Sequence, residues 1–167
     1  MLAPKRLLKY YYVKLIRLKG DPRTIARGIA LGTFVGITPT MPLKTVALLV
    51  LIPIFRANFV AAFLSSALMS NPLTYFPQYY LSWLIGNALI PANLSWDRIS
   101  SVMDIVFSDA GITDILRSFS QLGADTAIVL VVGGFILATP FTIAAYFFSL
   151  KFLIALRQKK REKQILN

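Results

Sequence analysis

The chain contains no cysteine and no histidine, and its one glutamate, Glu162, stands in the C-terminal tail. Disulfides, thiol chemistry and metal sites built on His or Cys are therefore excluded, and cysteine usage says nothing about redox compartment. Every aspartate lies outside the long apolar runs. A proton relay inside a membrane is built from Asp, Glu and His, so proton-coupled pumping is disfavoured. A hydrolase would lack its usual general base, and no glycine-rich phosphate-binding motif is present. These absences predict a protein that is not an enzyme and needs no cofactor or metal.

What the chain has in abundance is apolar sequence. Of its 167 residues 56% are hydrophobic, against about 45–50% in a soluble domain. They form long runs over 28–55, 59–90 and 127–156, and a bilayer asks for about 20 apolar residues per crossing helix. The net charge of +11 is segregated. Residues 1–27 hold Lys5, Arg6, Lys9, Lys14, Arg17, Lys19, Arg23 and Arg27 against Asp21 alone. Residues 151–167 hold Lys151, Arg157, Lys159, Lys160, Arg161 and Lys163 against Glu162. Residues 91–125 reverse the sign, with Asp97, Asp104, Asp109, Asp114 and Asp125 facing Arg98 and Arg117. Lys and Arg beside membrane segments resist translocation. The pattern predicts a prokaryotic inner-membrane protein with both termini cytoplasmic and an even number of full crossings. Basic ends beside lipid-length runs favour a membrane surface over nucleic acid. The N-terminus does not read as a signal peptide, because its first long run starts only near Gly28 and no small-residue cleavage site follows.

The fold expected is all-α: a polytopic integral membrane protein with Pro-broken or re-entrant helices and amphipathic interfacial helices. Residues 1–24 form a cationic helix on the cytoplasmic interface, with Leu7, Tyr11, Leu15 and Leu18 on one face and Lys5, Arg6, Lys9 and Arg17 on the other. Residues 25–91 are a core of broken helices. Gly28, Gly32 and Gly36 form a ladder that lets another backbone approach, before Thr38, Pro39, Thr40, Met41 and Pro42 end the helix. Ala62, Ser66 and Ser70 repeat the ladder, and Asn71-Pro72 then reads as an N-cap followed by a first helical residue. Gly134, Ala138 and Thr139-Pro140 repeat it a third time, within a C-terminal membrane helix or hairpin at 126–156. Residues 92–125 are acidic and read as two short extracytoplasmic amphipathic helices, with Gly111 between them. Residues 157–167 are a basic cytoplasmic tail. Run one is expected to return to the cytoplasm at Arg56 as a re-entrant hairpin, with runs two and three crossing out and back. In the rival topology all three runs are hairpins in one leaflet.

Part of this pattern resembles a known family. Ala30, Leu31, Gly32, Phe34, Gly36 and Pro39, then Arg56 and Asn58, then Asn71, Pro72, Thr74, Pro77 and Gly86 look like the prokaryotic family called domain of unknown function 2062. The likeness covers residues 30–91, a little over a third of the chain. It implies a membrane-embedded protein and no particular reaction.

The polar residues left inside the runs are the candidate site. Lys44 falls in the first turn of a half-helix whose free amides already carry partial positive charge, a position that suits an anion. Thr38 and Thr40 flank the break, Arg56 and Asn58 join runs one and two, and Asn71 opens a second half-helix followed by Tyr75, Tyr79 and Tyr80. Together Thr38, Thr40, Lys44, Arg56, Asn58, Asn71 and Tyr75 suit an anionic headgroup, most simply a phospholipid phosphate. Each also has a plainer reading: a snorkelling lysine, a positive-inside anchor, a helix cap, an aromatic belt. Two functions follow. The chain is an accessory or scaffold subunit of a larger envelope-assembly or transport complex, with phospholipids and a membrane protein or a second copy as partners. Alternatively, it binds or moves an anionic lipid or lipid-linked substrate through its broken helices.

Overall fold

A computed structural model of the chain describes residues 20–39, 43–90, 95–97, 99–100, 113 and 123–165. The described residues are all-helical, without strands. Five helices follow in order: α1 Pro22–Ile37, α2 Lys44–Ile54, α3 Phe59–Met69, α4 Pro72–Leu89 and α5 Gly123–Ile165. Of the cationic helix expected over residues 1–24, residues 1–19 lie outside the described residues, as does most of the amphipathic pair expected over 92–125.

The first break falls where the prolines demand it. α1 ends at Ile37 with Thr38 as C-cap, and α2 resumes at Lys44. α1 begins earlier than the apolar run, at Pro22, behind an extended Asp21. Proline at the first helical position loses nothing, because its missing amide would have had no partner. α2 closes on a Schellman turn: Arg56 N–H donates to Pro53 O at 3.2 Å and Ala57 N–H to Ile52 O at 2.9 Å. Arg56 sits in the left-handed region, φ 48°.

α1 and α3 run parallel, and the two small-residue ladders meet face to face. A Cβ added at Gly28 would come within 2.5 Å of Asn58 O and 2.9 Å of Ala61 Cβ. At Gly32 it would strike Ala62 O and lie 2.8 Å from Ser65 Cβ; at Gly36 it would lie 2.7 Å from Met69 Cβ and 3.2 Å from Ser66 O. Hydroxyls close the same seam, with Thr33 Oγ1 and Ser65 Oγ 3.0 Å apart and Ser65 Oγ donating to Ile29 O at 3.0 Å. α2 returns along this pair, burying Leu48 and Ile52 against Val35 and Ala62.

α5 runs antiparallel to α1. Leu153 packs on Ile25 and Ala61 at one end, while Gly134 abuts Thr38 and Pro39 at the other. α4 meets α5 through a second small-residue seam, in which Cβ atoms on Gly86 and Gly133 would strike Val129 O and Ser82 O.

Two expectations need correction. Thr139-Pro140 does not break run three: α5 is one helix of 43 residues passing straight through Pro140. The carbonyl that loses its helical amide there is Ile136 O; the neighbouring hydroxyls bond other carbonyls, Thr139 Oγ1 donating to Phe135 O at 2.7 Å and Thr142 Oγ1 to Ala138 O at 2.8 Å. A hairpin in run three, and with it the topology of three hairpins, is thereby ruled out. Run two, by contrast, does break at Asn71-Pro72, and Phe59–Met69 and Thr74–Leu89 are bent by 86°.

Among the described residues one helix, over Asp125–Gln158, is long and apolar enough to cross a membrane, and a second span exists if the bent α3–α4 pair counts as one. Only 28% of the apolar window in α5 is buried inside the protein, whereas a soluble core helix would be mostly buried. Leu43, Val46, Leu49, Val50 and Ile54 on α2 are more than half exposed. Exposed apolar side chains gathered on one element mark a face that meets a membrane or a partner.

Candidate functional site

Every helix break frees backbone groups that must find partners where no water competes. At the α1–α2 break, Thr38 turns back: its N–H donates to Phe34 O at 3.0 Å and its Oγ1 to the same oxygen at 2.8 Å. Gly36 O, one turn from the break, receives Lys44 Nζ at 3.0 Å. Lys44 is therefore turned into the fold. Its ammonium also donates to Ser70 Oγ at 3.1 Å and lies 4.7 Å from the centroid of the Tyr75 ring.

Ser70 belongs to the second break, so one side chain ties both breaks together. The rest of that turn is closed locally. Thr74 N–H donates to Asn71 O at 2.8 Å and Asn71 N–H to Thr74 Oγ1 at 3.2 Å. Met69 O, freed by the break, accepts from Thr74 Oγ1 at 2.7 Å and from Gln78 Nε2 at 3.0 Å. Thr74 is thus the residue that seals an Asn-Pro break, and Gln78, which sequence reasoning passed over, is its second donor. A glutamine isolated among apolar residues on an otherwise lipid-like helix was the available signal.

A cation so placed carries its own electrostatic demand. No aspartate or glutamate occurs from Pro22 through Trp96, and no ion pair forms at Lys44 among the described residues. The ammonium has three N–H groups; Gly36 O and Ser70 Oγ engage two, and the ring face of Tyr75 supplies a weak third. Its neighbours in the fold are polar and aromatic but neutral.

The seven candidate residues divide. Lys44, Thr38, Asn71 and Tyr75 lie around the two breaks, with Asn71 exposed at the α4 N-cap and Tyr75 buried. Thr40 lies outside the described residues. Arg56 and Asn58 are at the opposite end of α2, which spans 11 residues, or about 16 Å. Asn58 caps α3, its Oδ1 accepting from Ala61 N–H at 2.9 Å, and its own N–H donates to Thr24 O at 2.9 Å. The tyrosines fall into two groups. Tyr75 and Tyr79 are buried with Ile99 and Leu130, while Phe76, Tyr80 and Trp83 all pack on Trp96.

Around Arg56 the chemistry differs. Arg27 Nη1 donates to Phe55 O at 3.5 Å, and Arg157 donates to Gly20 O. Arg23, Arg27, Arg56 and Arg157 are all exposed. Among the described residues no group of three or more acidic, His or Cys side chains is placed to hold a metal.

No curated protein and no solved structure matches the chain. One family model does match, and it covers residues 5–162, well beyond the 30–91 that carry the motif likeness. The chain belongs to the family described as an uncharacterized protein conserved in bacteria, DUF2062.

Proposed function

We propose that this is a non-enzymatic protein of the bacterial inner membrane, with both termini cytoplasmic, that binds an anionic lipid or lipid-linked substrate at its two helix breaks. The observation that carries the proposal is Lys44. It is a cation turned inward at the junction of two breaks, in a stretch of sequence without a single carboxylate. A half-buried ammonium without a counter-charge keeps an unmet electrostatic demand, and a phosphate oxygen would meet it with a charge-assisted hydrogen bond. The free amides at the start of α2 add partial positive charge on the same side. Outward apolar surface on α2 and α5, together with the basic ends, supports the membrane setting and the orientation.

A second reading rests on a different observation. The exposed apolar face of α2 and the rigid glycine-packed α1–α3 pair also suit a scaffold subunit that docks on a larger envelope-assembly or transport complex. Purification in mild detergent followed by native mass spectrometry separates the two. Lipid binding predicts an anionic phospholipid retained by the wild-type chain, with one equivalent lost in Lys44→Gln. A stoichiometric protein partner, with lipid retention indifferent to Lys44, would support the scaffold and sink the lipid reading.

A further inference from the structure

We infer a second, separate lipid contact at the basic end: Arg27 and Arg56 clamp the headgroup of an anionic phospholipid, whose acyl chains lie along the exposed Phe55 and Phe59. The inference rests on the membrane setting and not on Lys44, which lies at the far end of α2.

Three features at this end each carry a cost that the fold does not require. Arg56 occupies a left-handed position, φ 48°, at the close of the α2 Schellman turn. Glycine is the residue that takes such a position without steric penalty, so an arginine there points to a use for its side chain. Arg23 and Arg27 stand four residues apart on α1, both exposed, and like charges at that spacing repel on a helix. Finally, Asp21 is the only acidic residue in the first 96 of the sequence, against Arg23, Arg27 and Arg56.

Geometry gathers them at one place. Arg27 Nη1 reaches Phe55 O at 3.5 Å, which brings its guanidinium to the residue next to Arg56. Arg157 is held to the same end by its bond to Gly20 O. Guanidinium groups engage phosphate oxygens in pairs of parallel hydrogen bonds, and Arg27 and Arg157 keep donors beyond their contacts with Phe55 O and Gly20 O. Phe55 and Phe59 are about half exposed, at 51% and 50%, and sit directly beside the clamp in sequence and in the turn. A headgroup phosphate over cations with hydrocarbon beside aromatic rings is the arrangement of a lipid at a bilayer interface.

Native mass spectrometry of the full chain in micelles, offered equal phosphatidylglycerol and phosphatidylcholine, tests the assignment. The wild-type chain should prefer phosphatidylglycerol by about tenfold, the worth of one strong charge-assisted contact. Arg56→Gly should lower that preference severalfold while melting, in a lipid-free preparation, at or above the wild-type temperature, because glycine fits the turn better. Arg27→Gln should lower it independently, and the double variant should abolish it at this end. A double variant that keeps the full preference, or a wild-type chain with none, overturns the clamp. A Lys44→Gln chain that keeps the Arg56-dependent part of the preference leaves the clamp standing, whatever it says of the Lys44 site.

Discussion

At one end of the α1–α3 pair a single ammonium is drawn inside and given a carbonyl, a hydroxyl and a ring face. At the other, four guanidinium groups stand at the surface. The same helices carry both ends, so the difference comes from the backbone. Where two chain breaks meet, carbonyls lose their amide partners and a donor must come from a side chain; a lysine in reach is recruited inward. Where α2 gives way to α3 the chain also leaves the helix, but the backbone there satisfies itself through the Schellman bonds to Ile52 O and Pro53 O. The cations there face outward. Charge is thus internal where a break lacks backbone partners and external where the turn supplies them.

The largest effect should come from the seam that holds the two ends in register. In Gly32→Leu, a new side chain would begin where even a Cβ strikes Ala62 O. Overpacking of a well-filled contact costs about 1–3 kcal/mol, and a clash with backbone cannot be relieved by a rotamer change. The α1–α3 pair should separate, with loss of most folded protein in size-exclusion chromatography. Recovery of wild-type yield and melting temperature would mean that Gly32 faces only lipid, and the comparison between ends would lose its common frame.

A middle-sized effect should single out the broken end. Lys44→Met keeps length and apolar stem but leaves Gly36 O and Ser70 Oγ without their donor. Interhelical hydrogen bonds in bilayers are worth roughly 0.6 kcal/mol on average, and an orphaned carbonyl adds to that. A loss of about 1–2 kcal/mol is expected, read as a lower melting temperature in detergent. Unchanged stability would show that the lysine is bystander to the breaks and that other groups satisfy them.

The sequence carried much of this, and the reasons for its gaps are physical. Gly28, Gly32 and Gly36, and Ala62, Ser66 and Ser70, are legible because a four-residue period is the helix period itself. The structure adds that both ladders are faces of one seam. The breaks at Pro39 and at Asn71-Pro72 are legible because proline removes a donor locally. Pro140 misleads for the same reason, since its own position does not reveal that a helix of 43 residues will run on through the one missing donor. Arg56 and Asn58 mislead differently. They sit in sequence between Lys44 and Asn71, but α2 carries the chain back about 16 Å before α3 returns, so nearness in sequence is not nearness in space. The Ser82, Gly86 and Gly133 seam was out of reach because it depends on the register of α4 against α5, a long-range fact.

The smallest expected effect is also the sharpest test of the comparison, because its sign is unusual. Arg56→Gly removes a charged side chain from a structured turn and should stabilise the protein slightly. An L-residue in the left-handed region costs about 1–2 kcal/mol, which glycine releases. Glycine also gives the unfolded chain more freedom, an offset of about 0.4–1 kcal/mol. Loss of one of several exposed like charges adds a few tenths in the same stabilising direction. The net is a gain of about 0.5 kcal/mol, or roughly 1–2 °C in melting temperature for a chain of this length. A lipid-free preparation is needed, since bound anionic lipid would favour arginine and reverse the sign by mass action. If the lipid-free glycine variant melts well below wild type, Arg56 is part of the internal support of the turn. The basic end would then resemble the Lys44 end in holding its cation for structural reasons, and the contrast between them would fail.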